Sequence, residues 1–266
     1  MRIYLAVFRI RFISALQYRV VAVSHLMNNL FWGLMLILGY AAFYRTDPSA
    51  LPMTITQTVS YVWMHEAFLF WFAVVFTDGD IEMAIESGSI AYELARPVDL
   101  YWRWFTRACA GRVAVTVMRM PIIFATFFLP GIIKMTLPPD ITQLLLFALS
   151  MILALGVTVS FTMLMYVTMF HTISFRGVRG IVYVVTSFLA GGLIPLPFFP
   201  ASVRIVVELS PFAAMQNMPL RIYSGNIAGM VAIYGIGLQI FWLITLLLSG
   251  RLFMSFSMRK VVVQGG

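Results

Sequence analysis

Between residues 141 and 170 the chain runs for 30 positions without an Asp, Glu, Lys or Arg. About 20 apolar residues suffice for a helix to cross a hydrocarbon core of roughly 30 Å. No water reaches the backbone there, so each N–H and C=O must be satisfied within the segment, which a helix does and an open strand does not. Apolar runs at 21–44, 55–76, 109–133 and 227–249, and a shorter one from 181, repeat the pattern. Composition agrees, with 11% charged residues against about 25% in soluble domains and a mean hydropathy of +0.93. The expected fold is an all-α integral membrane protein: one transmembrane domain over 1–266 with six transmembrane helices. The single cysteine, Cys109, excludes an internal disulfide and a thiolate metal cage.

Residues 1–20 mix Arg2, Arg9, Arg11 and Arg19 with Leu5, Phe8, Phe12 and Leu16, four apolar residues at helical spacing. This predicts an interfacial helix with arginines reaching toward lipid phosphates. A cleaved signal peptide fits less well, because the next apolar run is too long and no A-x-A site is seen. The fifth run is irregular. Its 13 residues at 181–193 rise only about 20 Å as a helix, and Gly191, Gly192, Pro195, Pro197 and Pro200 break the chain at and beyond its end. Too apolar for a solvated loop and too broken for a span, 194–226 is expected to form a re-entrant outer hairpin that walls a pathway. Candidate pathway-lining residues are Thr186, Ser187, Gly191 and Gly192, together with Asn28 and Asn29 in the first span, which could equally bond a neighbouring helix. The aromatic run Phe68, Phe70, Trp71 and Phe72 is expected as filling of a lipid-facing helix.

The net charge of +8 could point to nucleic acid, but its distribution points to membrane topology instead. With the N-terminus inside the cell, thirteen Lys and Arg fall on the inner segments and four (Arg45, Lys134, Arg204, Arg221) on the outer ones. Both termini are then cytoplasmic, and so is 77–107, the one long polar interval, which holds six of the ten acidic residues. Within it Thr77 and Asp80 mark a helix start, Gly88 a stop, Ser89 the cap of a second short helix and Pro97 its end. Ile81, Ala84 and Ile85 share one face, Glu82 and Glu86 another. The negative cytoplasmic leaflet repels such a flank, which favours docking into a cytoplasmic protein over lying on lipid.

Glu66 and Arg119 each lie about ten residues, or 15 Å, from the inner end of their runs, so an intramembrane ion pair between them is expected. No Walker A sequence surrounds either lysine, Lys134 or Lys260, so nucleotide chemistry would belong to another polypeptide. An ion-coupled secondary transporter would need midplane carboxylates, and Glu66 is the only one. A membrane-embedded enzyme is less supported still: His25, His65 and His171 are scattered, G-x-S-x-G is absent, and His65-Glu66 lacks the second histidine of H-E-x-x-H.

The run Ile85-Glu86-Ser87-Gly88-Ser89-Ile90, continuing to Leu94-Ala95-Arg96-Pro97-Val98, resembles the I-x-x-G-x-I…L-x-[RK]-P segment after the second span of ABC-2 type transporter permeases. Pro211-Phe212, Pro219, Ile222, Gly225, Gln239, Trp242 and the terminal Gly265-Gly266 are similar to the short six-span branch of that family. The resemblance implies a connecting helix at 1–20 and an ATPase-coupling segment at Glu82, Ile85, Glu86, Ser87, Gly88, Ser89 and Ile90. It further implies an outer re-entrant gate after the fifth span, with spans 1 and 5 of two permease subunits lining the path. The partners implied are two ATP-binding cassette subunits, which hold the ATP and Mg, a second permease subunit, identical or paralogous, and membrane lipid. This chain would carry no cofactor, catalytic residue or metal of its own and would export an amphiphilic or lipophilic substrate across a bacterial cytoplasmic membrane.

Overall fold

The computed structural model describes residues 2–17, 19–46, 51–172 and 175–259, with the backbone alone at 19–25 and 132. The described residues form helices and no strand. In chain order these are α1 (Arg2–Leu16), α2 (Arg19–Thr46), α3 (Ile55–Ala67), α4 (Leu69–Phe72), α5 (Gly79–Glu86), α6 (Ile90–Leu94) and α7 (Leu100–Phe127). They continue with α8 (Ile141–Met169), α9 (Phe175–Leu189), α10 (Ala201–Glu208), α11 (Pro211–Met215), α12 (Asn217–Tyr223) and α13 (Gly229–Met258).

Four of these are long and apolar enough to cross a membrane: α2 over Leu26–Thr46, α7, α8 and α13. The other two expected spans are shorter. The run at 55–76 divides at Phe68 into α3 and α4, and α9 has 15 residues, rising about 22 Å. Burial accounts for the polar character of α3, since every residue from Thr58 to Ala67 is buried. It starts with a capping box in which Thr54 Oγ1 accepts from Gln57 N at 3.2 Å and the Gln57 side chain accepts from Thr54 N at 3.0 Å. Surrounded by α2, α7 and α12, it can carry Thr58, Ser60, His65 and Glu66 because protein, not lipid, meets each of them.

The aromatic run beside it belongs to the core as well. Phe68 and Phe72 are buried, and Trp71 Nε1 donates to the Met151 carbonyl of α8 at 2.8 Å. The expectation of lipid-facing filling is therefore corrected: the break at Phe68 folds these rings inward.

Polar clasps join the long helices. Asp140 caps α8 by accepting from Gln143 N at 2.7 Å, and Gln143 Nε2 donates to the carbonyls of Ile222 and Ile227, both at 2.7 Å. Gln239 of α13, fully buried, accepts from Ser150 Oγ at 2.8 Å and donates to the Ser150 and Ala214 carbonyls at 3.1 and 2.8 Å. These contacts cover the short helices α11 and α12, whose Ala213, Ala214, Leu220 and Ile222 are fully buried. Non-helical backbone in an apolar segment survives under such cover. At the turn into this region Gly191 has φ +83°, and a Cβ there would stand 2.7 Å from the Tyr61 hydroxyl, which donates to the Gly191 carbonyl at 3.0 Å.

Helix α1 packs against α7, with Phe8, Phe12 and Leu16 half-buried while Leu5, Ile3, Ile10 and Ile13 stay exposed. An apolar exposed side is what an interfacial helix offers to lipid. Arg11 departs from the expectation, because it turns to acids of the chain itself.

Candidate functional site

The polar interval folds into a knob built on α5 and α6. Asp78 caps α5, its Oδ1 accepting from Asp80 N at 3.1 Å, in place of the Thr77 and Asp80 pairing expected. Its backbone N–H donates to the Tyr166 hydroxyl of α8 at 2.6 Å. Ile81 and Ile90, each 1% exposed, anchor the knob in a buried cluster with Trp104, Met163 and Tyr166. α7 begins nine residues before the expected start of its span, because Asp99 Oδ1 accepts from Trp102 N at 3.0 Å and so caps it immediately after the Pro97 turn.

Arginines of the same chain neutralise most of the acids. Asp78 is held by Arg11 at 2.8 Å and Arg107 at 2.9 Å, and Asp80 by Arg107 at 2.7 Å and Arg11 at 3.3 Å. Glu82 pairs with Arg179 of α9, which also donates to Thr77 Oγ1 at 2.7 Å. Glu93 pairs with Arg103 and accepts from Trp104 Nε1 at 2.7 Å, and Asp99 meets Arg251 of α13 at 3.5 Å. Among the described residues Glu86 alone of the six forms no such pair, and it is exposed. The acidic flank expected at Glu82 and Glu86 is thus corrected to a single free carboxylate, because Glu82 is spent on α9.

Around the Gly88 turn the knob presents Met83 (68% exposed), Glu86, Ser87, Gly88 and Tyr92 (80% exposed), and Leu94 to Pro97 are exposed beyond it. Gly88 turns the chain at φ +72° in open space, and Ser87 Oγ braces the turn on the Met83 carbonyl at 2.7 Å. Of the other expected coupling residues, Ile85 is half-buried, Ile90 is buried, and Ser89 precedes α6 without a side-chain cap bond. Met83 and Tyr92 escaped the sequence reading, although the signal was present: large side chains in a polar interval, off the Ile81 face.

The remaining candidates are scattered. Among the described residues no ion pair joins Glu66 to Arg119. Glu66 faces His65 Nδ1 at 3.7 Å, and Arg119 lies 4.5 Å from the centre of the Phe70 ring. Asn29 is buried and donates to the Glu66 carbonyl at 2.8 Å, so it bonds a neighbouring helix, whereas Asn28 is exposed. Thr186 returns its hydroxyl to the Val182 carbonyl of its own helix at 2.7 Å. With Ser187, Gly192, His65 and Gln216 it borders a cavity of ≈ 90 Å³, while Gly191 packs on Tyr61. A larger cavity of ≈ 380 Å³ lies between α1, the segment after α3 and α7. Among the described residues no group of three or more His, Cys, Asp or Glu side chains comes together as a metal cage.

Residues 30–265, from early α2 through the last helix, match the family described as ABC-2 family transporter protein. The chain belongs to this family. It is therefore a multi-pass membrane protein and an ABC transporter permease. The matched stretch takes in the whole knob, while α1 precedes it. No curated protein and no solved structure matches this ABC-2 permease.

Proposed function

We propose that this permease is the membrane subunit of an ATP-driven exporter, in which the tip formed by Met83, Glu86, Ser87, Gly88 and Tyr92 docks into a separate ATP-binding cassette subunit. Two such subunits, holding the ATP and Mg, would serve two permeases, identical or paralogous, and the cargo would be amphiphilic or lipophilic. The supporting observation is a large, exposed tyrosine and methionine at the end of a knob fastened to the membrane helices by buried isoleucines and arginine pairs. Aromatic anchors of this kind carry interface energy once a partner removes water from them. The fastening supplies the transmission: motion imposed on α5 reaches α1 and α7 through Asp78 and α9 through Glu82.

The arginine-rich inner segments favour a cytoplasmic knob and cytoplasmic termini in a bacterial cytoplasmic membrane. Six crossings, counting α3 with α4 and α9, leave the knob on the side of the termini, in keeping with the Arg11–Asp78 pair, whereas the four long helices alone would place it opposite them. The test substitutes Met83→Asp with Tyr92→Asp and measures co-purification of the ATPase and substrate-stimulated ATP turnover. Both should fall at least about tenfold with the amount in the membrane unchanged, and unchanged coupling would refute the docking.

A further inference from the structure

The ≈ 380 Å³ cavity beneath the knob is bordered by four arginines, Arg11, Arg107, Arg112 and Arg119, against two acids, Asp78 and Asp80. Both acids are engaged at its outer end by Arg11 and Arg107. Arg119, at the deep end, lies twelve positions along α7 from Arg107, about 18 Å, and Val115, Met118, Phe70 and Phe76 supply apolar wall between them.

Among the described residues, the lining of the deep end holds positive charge and no acid. Arg112 is fully buried and donates to the Ala108 and Ala73 carbonyls and to Thr162 Oγ1, at 3.3, 2.9 and 2.7 Å, all neutral acceptors. Arg119 is 2% exposed, and its Nε and Nη1 have no hydrogen-bond partner among the described residues. Glu66 attracts it electrostatically but forms no ion pair with it among the described residues, its Oε1 lying 3.7 Å from His65 Nδ1. A guanidinium at this depth is costly unless an anion meets it, and a planar fork of donors suits a phosphate.

We propose that this cavity binds an anionic phosphate amphiphile, its phosphate on Arg119, with Arg112 about 10 Å along α7 adding to the positive field, and its chain against Phe70, Val115 and Met118. The site lies within one permease subunit and needs neither a second copy nor an ATPase, so its success or failure is separate from that of the docking tip.

Native mass spectrometry of the purified permease in neutral detergent tests it, with phosphatidylglycerol, phosphatidylcholine and inorganic phosphate as probes. The expected result is one tightly held phosphatidylglycerol, weakened at least tenfold by Arg119→Gln, retained in part by Arg119→Lys, and not displaced by millimolar inorganic phosphate. Phosphatidylcholine, whose choline cancels the charge, should not compete. Val115→Phe, which fills the cavity and leaves every charge in place, should weaken retention as much, with circular dichroism and gel filtration establishing that each variant folds. Equal retention by wild type, Arg119→Gln and Val115→Phe overturns the site. Displacement by inorganic phosphate at concentrations matching the lipid overturns the amphiphile in favour of a free-anion site.

Discussion

Gly88 is a position where one atom decides the shape of the knob. Its φ of +72° is a conformation in which a Cβ crowds the following carbonyl, a penalty of about 1–2 kcal/mol for an L-residue. Nothing lies within 4 Å of where that Cβ would sit, so the cost of Gly88→Ala is backbone strain alone. Hydrogen exchange of the α5 and α6 amides should quicken by roughly 5- to 30-fold, with the long helices unaffected. Gly88→Asn should do less, because asparagine tolerates the left-handed region. The glycine was legible as a helix stop, but its neighbours were not. Glu82 and Glu86 sit one turn apart on α5, yet one meets Arg179, 97 positions away, and the other meets solvent. Helical spacing put both carboxylates on one face and carried no information about the distant arginine.

Among the elements, α3 and the α8–α13 pair carry opposite lessons. The long helices follow from hydropathy alone, since a run as apolar as 141–170 has no other stable state in a bilayer. The run at 55–76 has comparable length, but it folds as two pieces whose first is wholly inside the protein. Its buried polar side chains, which hydropathy averages away, are accommodated by α2, α7 and α12. Between α8 and α13 the fully buried Gln239 links Ser150 to Ala214. Gln239→Ala would leave the Ser150 hydroxyl without this partner and two carbonyls without this donor, a loss of about 1–3 kcal/mol. It should appear as a lowered unfolding midpoint in detergent. Adding Ser150→Ala should recover part of the loss, since removing both partners is milder than orphaning one.

For the whole molecule the decisive quantity is which side of the bilayer the knob occupies. In a Cys109→Ser background, Ser87→Cys places a thiol on the exposed turn. A membrane-impermeant maleimide should label it in inverted vesicles and not in intact cells, and labelling in intact cells would reverse the orientation. By itself the sequence determined the all-α class, membrane residence, the positions of the longest helices and the place of the one polar interval. Each of these depends on the free energy of moving residues, one at a time, between water and hydrocarbon, and that is additive along the chain. The tertiary structure alone decided that α3 is buried, that five of six acids close onto arginines, and that Arg119 borders a cavity with no carboxylate among the described residues paired to it. Those are properties of pairs, set by side chains brought together from 69 or 97 positions apart, and no reading of local composition contains them.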